Sequence, residues 1–257
     1  MNNKNMSTQL LTFRSSDVYP SAHLEHRLDR PIILDKDYEY SIGLTSISCY
    51  NTIQNINQTR NNNAFQYSDG TTTYDILLPN GSYEVEDIQA FLYDHIHKTF
   101  PDLNIKDELP IEFIANHVLN KVQIAIYSVG WSLTLSTNFG KILGFDETQL
   151  EITETTTANS KAKMNLGITS FYVTCNLISS SVNNSSTSSN VLSDFMLSVA
   201  KSSLNVHKPD LLLPFPLSVV EYIDNIVIRI VDQDGNLIDF NNEPVVATLY
   251  LQRHKLL

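Results

Sequence analysis

Charge is scarce in this chain, and positive charge is scarcest. Lys and Arg number 17 against 28 Asp and Glu in 257 residues, for a net charge of −11 and a charged fraction of 18%. A surface that grips a nucleic-acid duplex needs clustered Lys and Arg to neutralise phosphates. No dense basic run occurs, so direct nucleic-acid binding is not expected. Only two cysteines are present, Cys49 and Cys175. Each sits in a strand-like stretch, "IGLTSISCYN" and "SFYVTCNLIS", and both read as buried reduced thiols rather than as a disulfide framework. Eight glycines are too few for a propeller of short blades. No apolar window approaches the roughly 18 residues of a membrane span. The segment "MNNKNMSTQ" has no apolar stretch of the signal-peptide kind, so none is expected.

What remains is a folded, weakly charged chain. Hydrophobic residues make up 42%, enough for a sizeable core. Asn, Ser and Thr fill the space that charge leaves. Such surfaces occur where subunits pack against one another, and also on extracellular domains.

The hydrophobic pattern predicts an all-β chain with one long helix. "QLLTF" (9–13) and "PIILD" (31–35) are short apolar runs, read as edge or entry strands within an N-terminal region 1–37 whose first eight residues form a polar arm. In "YEYSIGLTSISCYN" (38–51), Tyr38, Tyr40, Ile42 and Leu44 share one parity, the two-residue period of a strand. Residues 51–63 read as a polar loop, and "TTTYDILLP" (71–79) as a strand. The period then changes. Val85, Ile88, Leu92 and Ile96 fall three or four apart, which is one face of an amphipathic helix over 84–98. Glu84, Glu86 and Asp87 suit the positive end of its dipole, and Pro101 stops it. Residues 111–117, 121–128 and 131–136 are spaced like a β-meander, and 138–145 like a helical turn closed by Gly144. Residues 146–166 and 180–190 read as loops, 168–179 as a strand, 191–200 as strand or helix, and 207–218 as extended. These elements predict a single jelly-roll β-sandwich with an inserted α-helix, one domain over 38–257.

The closing stretch "IVIRIVDQDGNLIDF" (226–240) raises a choice between a metal loop and a turn. Ile226, Ile228 and Ile230 alternate with Val227, Arg229 and Val231, as in a largely buried strand. Val245, Ala247, Leu249 and Leu251 alternate later. Between them lies Asp234-Gly235, a dipeptide favoured in tight hairpins because it tolerates positive φ. A calcium loop of the EF-hand kind opening at Asp232 would need Gly sixth and Glu twelfth. The twelfth residue is Glu243, but the sixth is Leu237. The segment therefore reads as a structural turn at Asp234 and Gly235 joining a hairpin.

No catalytic constellation emerges. His95-Ile-His97 has the spacing of a cupin histidine pair, but it falls on the helix, where residues two apart diverge, and the next Glu is Glu108. It reads as a solvated helix flank. His23-Leu-Glu25 has the spacing that opens an iron oxygenase triad, with His207 or His254 as a third ligand; "SAHLEHRLDRP" reads as a charged loop instead. Neither a G-x-S-x-G elbow nor a phosphate loop is present. Trp131 opens a strand and reads as core or rim. The chain is read as no enzyme, with no cofactor and no metal. A jelly-roll carbohydrate-binding module remains the alternative, and a cupin-like non-haem iron enzyme comes after it.

Three segments in this order, "YEYSIGLTSISCYNTIQNI", "ILLPNGSYEVEDIQAFL" and "IDNIVIRIVDQDGNLIDFNNEPVVATLYLQRH", with "GKILGF" and "FYVTCNLIS" between them, carry a family likeness. The pattern resembles the minor capsid, or penton, proteins of Polinton/Maverick elements and related adintoviruses, and more distantly those of virophages. The resemblance implies a single jelly roll, five copies of which form a homopentameric capsomer at the vertices of an icosahedral virion. The capsomer would sit among trimers of a double-jelly-roll major capsid protein. It implies no catalytic residues. The loops 146–166 and 180–190 lie outside the resemblance.

Overall fold

The computed structural model describes residues 6–16, 20–101, 109–146, 150–179, 181–182, 188–219 and 221–255. In chain order its strands begin with β1 (Met6–Arg14), β2 (His23–Ile33), β3 (Tyr38–Tyr50), β4 (Ala64–Ser68) and β5 (Thr73–Leu77). Helix α1 (Val85–Thr99) follows, then β6 (Ile111–Asn116), β7 (Lys121–Ile126), β8 (Ser132–Leu135) and helix α2 (Thr137–Leu143). Next come β9 (Leu150–Ile152), β10 (Thr156–Thr157), β11 (Phe171–Cys175), β12 (Ser181–Val182), β13 (Ser188–Ser189) and β14 (Val191–Phe195). The chain closes with β15 (Leu204–His207), β16 (Phe215–Pro216), β17 (Tyr222–Val231) and β18 (Val246–Lys255).

The chain groups into two compact units, residues 1–53 with 168–257, and residues 54–167. This grouping differs from the single domain expected over 38–257. Strands β1 and β2, from the region 1–37 expected to hold an arm and entry strands, belong to the first unit.

The first unit is the jelly roll. One sheet runs β1-β18-β3-β15, with β16 continuing beside β3; the other runs β14-β11-β17-β2. Taken in chain order, the eight main strands switch sheets at every step except from β11 to β14, which pair within one sheet; first and last, β1 and β18, pair directly, as do second and seventh, β2 and β17. That is the two-Greek-key order of a jelly roll. Both sheets give side chains to one core, including Ile42, Ile47 and Leu249 from the first and Val173, Ile226 and Ile228 from the second. From Ile226 on, every other residue of β17 is buried, Ile226, Ile228 and Ile230, as the alternation predicts.

Strand β3 departs from simple alternation. Its pairing with β18 shifts between Thr248 and Leu249, which oppose Ser46 and Leu44. Thr45 is the extra residue of a bulge, and a bulge reverses facing. Ile42 and Leu44 therefore point inward on one side of it, and Ile47 and Cys49 on the other. Strand β2 carries a larger irregularity: Ile32 faces Ile223, yet Arg27 already faces Asn225. The stretch "SAHLEHRLDRP" is thus not a loop. Leu24 and half-buried Leu28 and Ile32 pack on the core, and the charges point outward.

The second unit holds two small sheets, β5-β4-β8-β9 and β10-β7-β6. Helix α1 begins at Glu84, whose N–H donates to the Asp87 carboxylate at 2.7 Å. Val85, Ile88, Leu92 and Ile96 are its buried face, the stripe read from the sequence. The Gln89 side chain accepts the Phe113 N–H at 2.7 Å, tying the helix to β6. Helix α2 ends at Gly144 with φ 92°. There a Cβ would strike the Ser160 backbone.

Three sequence expectations are corrected here. The predicted meander breaks at β8, which pairs with β4 and β9 rather than with β7. The Thr-rich loop 146–166 contains β9 and β10. Residues 51–63 are not a plain loop. Asn55, Asn62 and Asn63 are buried, and their side chains stand in for a sheet ladder. Asn55 Nδ2 donates to the Tyr83 and Met164 carbonyls at 2.7 and 2.8 Å, and its Oδ1 accepts the Tyr83 N–H. Asn62 donates to the Asn55 carbonyl, and Asn63 to that of Leu78. A buried backbone group must find a partner, and asparagine offers both donor and acceptor. Of the loop 180–190, residues 181–182 pair with 188–189; 180 and 183–187 lie outside the described residues, as do 147–149 and Glu108.

Candidate assembly surface

The stretch around Asp234 and Gly235 does turn, but by another route than a two-residue hairpin. The Gly235 N–H donates to the Asp232 carbonyl at 3.1 Å and the Asp232 N–H to the Asn236 carbonyl at 2.9 Å. Gly235 has φ 84°, so a β-turn over 232–235 is followed by a left-handed glycine, the three-residue loop pattern. The Asp232 carboxylate accepts from the backbone of Asp234 and Asn236 and from the Asn236 side chain. Partial burial pushes its pKa up, but these hydrogen bonds outweigh it and hold the pKa below the usual aspartate value. The expected hairpin is corrected in one respect. After a single bridge, Val231 to Leu237, the chain crosses over, and β18 pairs with β3 and β1 in the opposite sheet.

The candidate metal histidines stay apart. His23 and Glu25 lie side by side on β2, Nε2 to Oε2 at 3.3 Å, with Arg229 Nε donating to His23 Nδ1 at 3.2 Å. His207 is on β15, beside Ser193 and stacked on Phe195, and His254 is beside Gln252. Among the described residues no group of three His, Cys, Asp or Glu could hold a metal ion. His95 is not a solvated flank. Its Nδ1 lies 3.2 Å from the Tyr67 hydroxyl, its ring meets that of Tyr67 edge-on, and burial, then the Lys98 charge, lowers its pKa. His97 is exposed and stacks on Tyr93.

Cys49 and Cys175 are both buried and free. Burial pushes their pKa values up to about 12 and about 11, so at neutral pH both are thiols, unsuited to nucleophilic attack or metal ligation. Trp131 is half-buried and lies parallel to the Tyr67 ring, centroids 5.9 Å apart. A cleft of about 730 Å³ opens at one end of the jelly roll, with Tyr38, Tyr40, Pro214 and Pro216 on its walls. Arg253 sits over the Tyr38 ring at 4.9 Å, and the Tyr40 hydroxyl accepts the Asp35 N–H.

The jelly roll offers two flanks of different character. On one, β1 and β2 are the sheet edges, and Phe13 touches the His26 ring across them. Strand β1 pairs with β18 without a break over nine residues, leaving a straight open edge. Strand β2 is bulged and carries Arg27, Asp29, Arg30 and Pro31, features that discourage stray strand pairing. The other flank is formed by β14, β15 and β16. Here β15 and β16 are two pieces of one edge, interrupted by the segment 208–214. Within it, Leu211, Leu212 and Leu213 are 69, 53 and 51% exposed. Leu204 and Val206, on the same edge, are exposed as well. Sequence reasoning took 207–218 only as extended. The signal it passed over was three consecutive leucines between Pro209 and Pro214, with no alternation to bury any of them.

No family model matches the chain, and no curated protein does. Among solved structures it is similar to the selenomethionine-labelled mavirus penton protein, with a TM-score of 0.47 and 9% identity over 97% of this chain and 100% of that one.

Proposed function

We propose that this chain is a structural minor capsid protein of the penton kind, five copies of which close into a vertex capsomer of an icosahedral particle. One observation carries the reading. Of the segments that resemble the Polinton and adintovirus pentons, three hold β3, β11, β17 and β18, the two inner strands of each jelly-roll sheet; "ILLPNGSYEVEDIQAFL" and "GKILGF" fall on β5, α1 and α2 of the second unit. The likeness therefore takes in the inner strands of both jelly-roll sheets. The eight-stranded jelly roll is an architecture that capsid proteins share with lectins and cupins, and fold alone does not select among them. A cupin-like iron enzyme needs a cluster of metal ligands. Among the described residues no group of three His, Cys, Asp or Glu could hold such an ion.

On this reading the protein is not an enzyme. Its partners are further copies of itself and a double-jelly-roll major capsid protein, its place is the virion vertex, and it needs no cofactor. A ring of five makes head-to-tail contacts between opposite flanks. Such contacts are modest until a surrounding shell locks them, so dilute subunits are expected to be monomeric. Light scattering over a concentration series, followed by reconstruction of particles co-assembled with the major capsid protein, tests the proposal. Density for this chain at the fivefold vertices is expected. A stable monomer that binds a metal and turns over a small substrate would overturn it.

A further inference from the structure

The three exposed leucines have a counterpart at the same height on the opposite flank. Pairing register fixes that height. Leu10 on β1 faces Tyr250 on β18, and Tyr250 faces Gly43 on β3. A Cβ on Gly43 would collide with the Leu213 carbonyl oxygen at 2.5 Å and with the Tyr250 ring at 2.6 Å. Glycine is needed there because the leucine segment folds back over the outer face of the sheet. It covers Tyr250, which is buried although it points away from the core. Leu10, Tyr250, Gly43 and Leu213 thus form one line across the outer face, perpendicular to the strands. Its two ends are apolar and open: Leu10, 64% exposed, at the β1 edge, and Leu211–Leu213 at the other.

We propose that Leu211–Leu213 of one copy seat against the β1 edge around Leu10 of the next copy. The proposal rests on the capsid reading and names the contact that would close its ring. A rotation axis parallel to the strands keeps heights constant from copy to copy, so two features at one height on opposite flanks meet in such a ring. Charge allows it. The chain carries −11 overall, which sets like copies against each other. The leucine segment is flanked by Lys208 and Asp210, which cancel, and the receiving flank carries exposed Arg14, Arg27 and Arg30 against Glu25 and Asp29. Neither face adds to the repulsion. The occupant docks through side chains, because Pro209 and Pro214 have no N–H to offer a neighbouring strand.

Leu10→Cys and Leu212→Cys chains, purified separately, are mixed under mild oxidation; the native cysteines are buried and do not interfere. Disulfide-linked pairs that form only in the mixture are expected. Sedimentation over a concentration series should show self-association of Leu212→Asp weakened at least tenfold, with circular dichroism unchanged. Linkage of Leu212→Cys to itself would indicate a face-to-face dimer and overturn the proposal. So would linkage only to an added major capsid protein. If wild type and both Leu10→Asp and Leu212→Asp enter fivefold vertices equally well, the ring closes elsewhere; this contact is then wrong and the capsid reading stands. If the wild type neither self-associates at any concentration nor enters particles, the capsid reading fails and takes this contact with it.

Discussion

The two units solve the same problem by different means. In the first, strands of up to 13 residues pair over long sequence separations, and an aliphatic core alternates along them. In the second, the strands of the sheets are two to six residues long. Short ladders leave many backbone groups to satisfy, and the buried asparagines at 55, 62 and 63 satisfy several of them. A helix and an aromatic cluster, Phe65 stacked on Phe139 with Phe113 edge-on to both, supply what the small sheets cannot. Long strands secure register through alternation; short ones need individual side chains to fix each crossing.

The sharpest way to break this comparison is to weaken one core and watch the other. Trp131 is the one tryptophan of the chain and lies in the second unit, so its fluorescence reports that unit. Leu92→Ala, at a fully buried site, should cost about 2–5 kcal/mol and shift the fluorescence transition in denaturant. Ile228→Ala, equally buried in the first unit, should shift the far-ultraviolet transition and leave the fluorescence midpoint in place. If both probes move together for either variant, the units unfold as one. A smaller effect tests the asparagine scaffold. Asn55→Ala strips three hydrogen bonds and should cost about 1–3 kcal/mol, the penalty for stranding buried polar groups, again on the fluorescence transition. A neutral result would mean that water replaces the side chain.

Smaller still are the effects at the turn. Gly235→Val forces a β-branched residue into positive φ and should cost about 1–2 kcal/mol, without change on adding calcium. A rise in melting temperature with calcium that Asp232→Ala abolishes would make the segment an ion site. Asp232 also gives a pH signature. Its folded pKa lies below the unfolded value of about 3.9, so its contribution is present above that value and fades as pH falls through the folded one. Asp232→Ala should therefore be less stable than wild type at pH 7, and the gap should close in strong acid. A gap independent of pH would mean that the carboxylate charge plays no part.

Much of the frame was legible because long strands announce themselves. The shared parity of Ile42 and Leu44, the alternation in 226–231 and the stripe Val85/Ile88/Leu92/Ile96 each match a buried face. What escaped has physical reasons. Thr45 reverses the parity of β3, and no local pattern marks a bulge. Strand β2 carries its charges on an outward edge, which looks like a loop when only one sheet face is apolar. Asn55 looks like a loop residue because its partners, Tyr83 and Met164, are distant in sequence. The turn at Asp234-Gly235 was visible, but which strand β18 would join was not, because crossing between sheets is decided by tertiary packing. The leucines at 211–213 stood in plain sight and were passed over, since extended chain alone does not say which way its side chains face.

The pairing of β1 with β18 bears on the order in which the molecule can form during synthesis. Thr12 and Thr248 touch across 236 positions. Until β18 emerges from the ribosome, β1 and β3 have no strand between them, and their sheet cannot close. The second unit is one continuous stretch nested between β3 and β11, so it is complete on the ribosome well before that. Domains generally fold as units as they emerge, and the jelly roll here is the late one. For much of its synthesis each chain therefore carries a finished second unit and an open first one. The flank edged by β1 and β2 and the flank of β14, β15 and β16 are both complete only once β17 and β18 have been made.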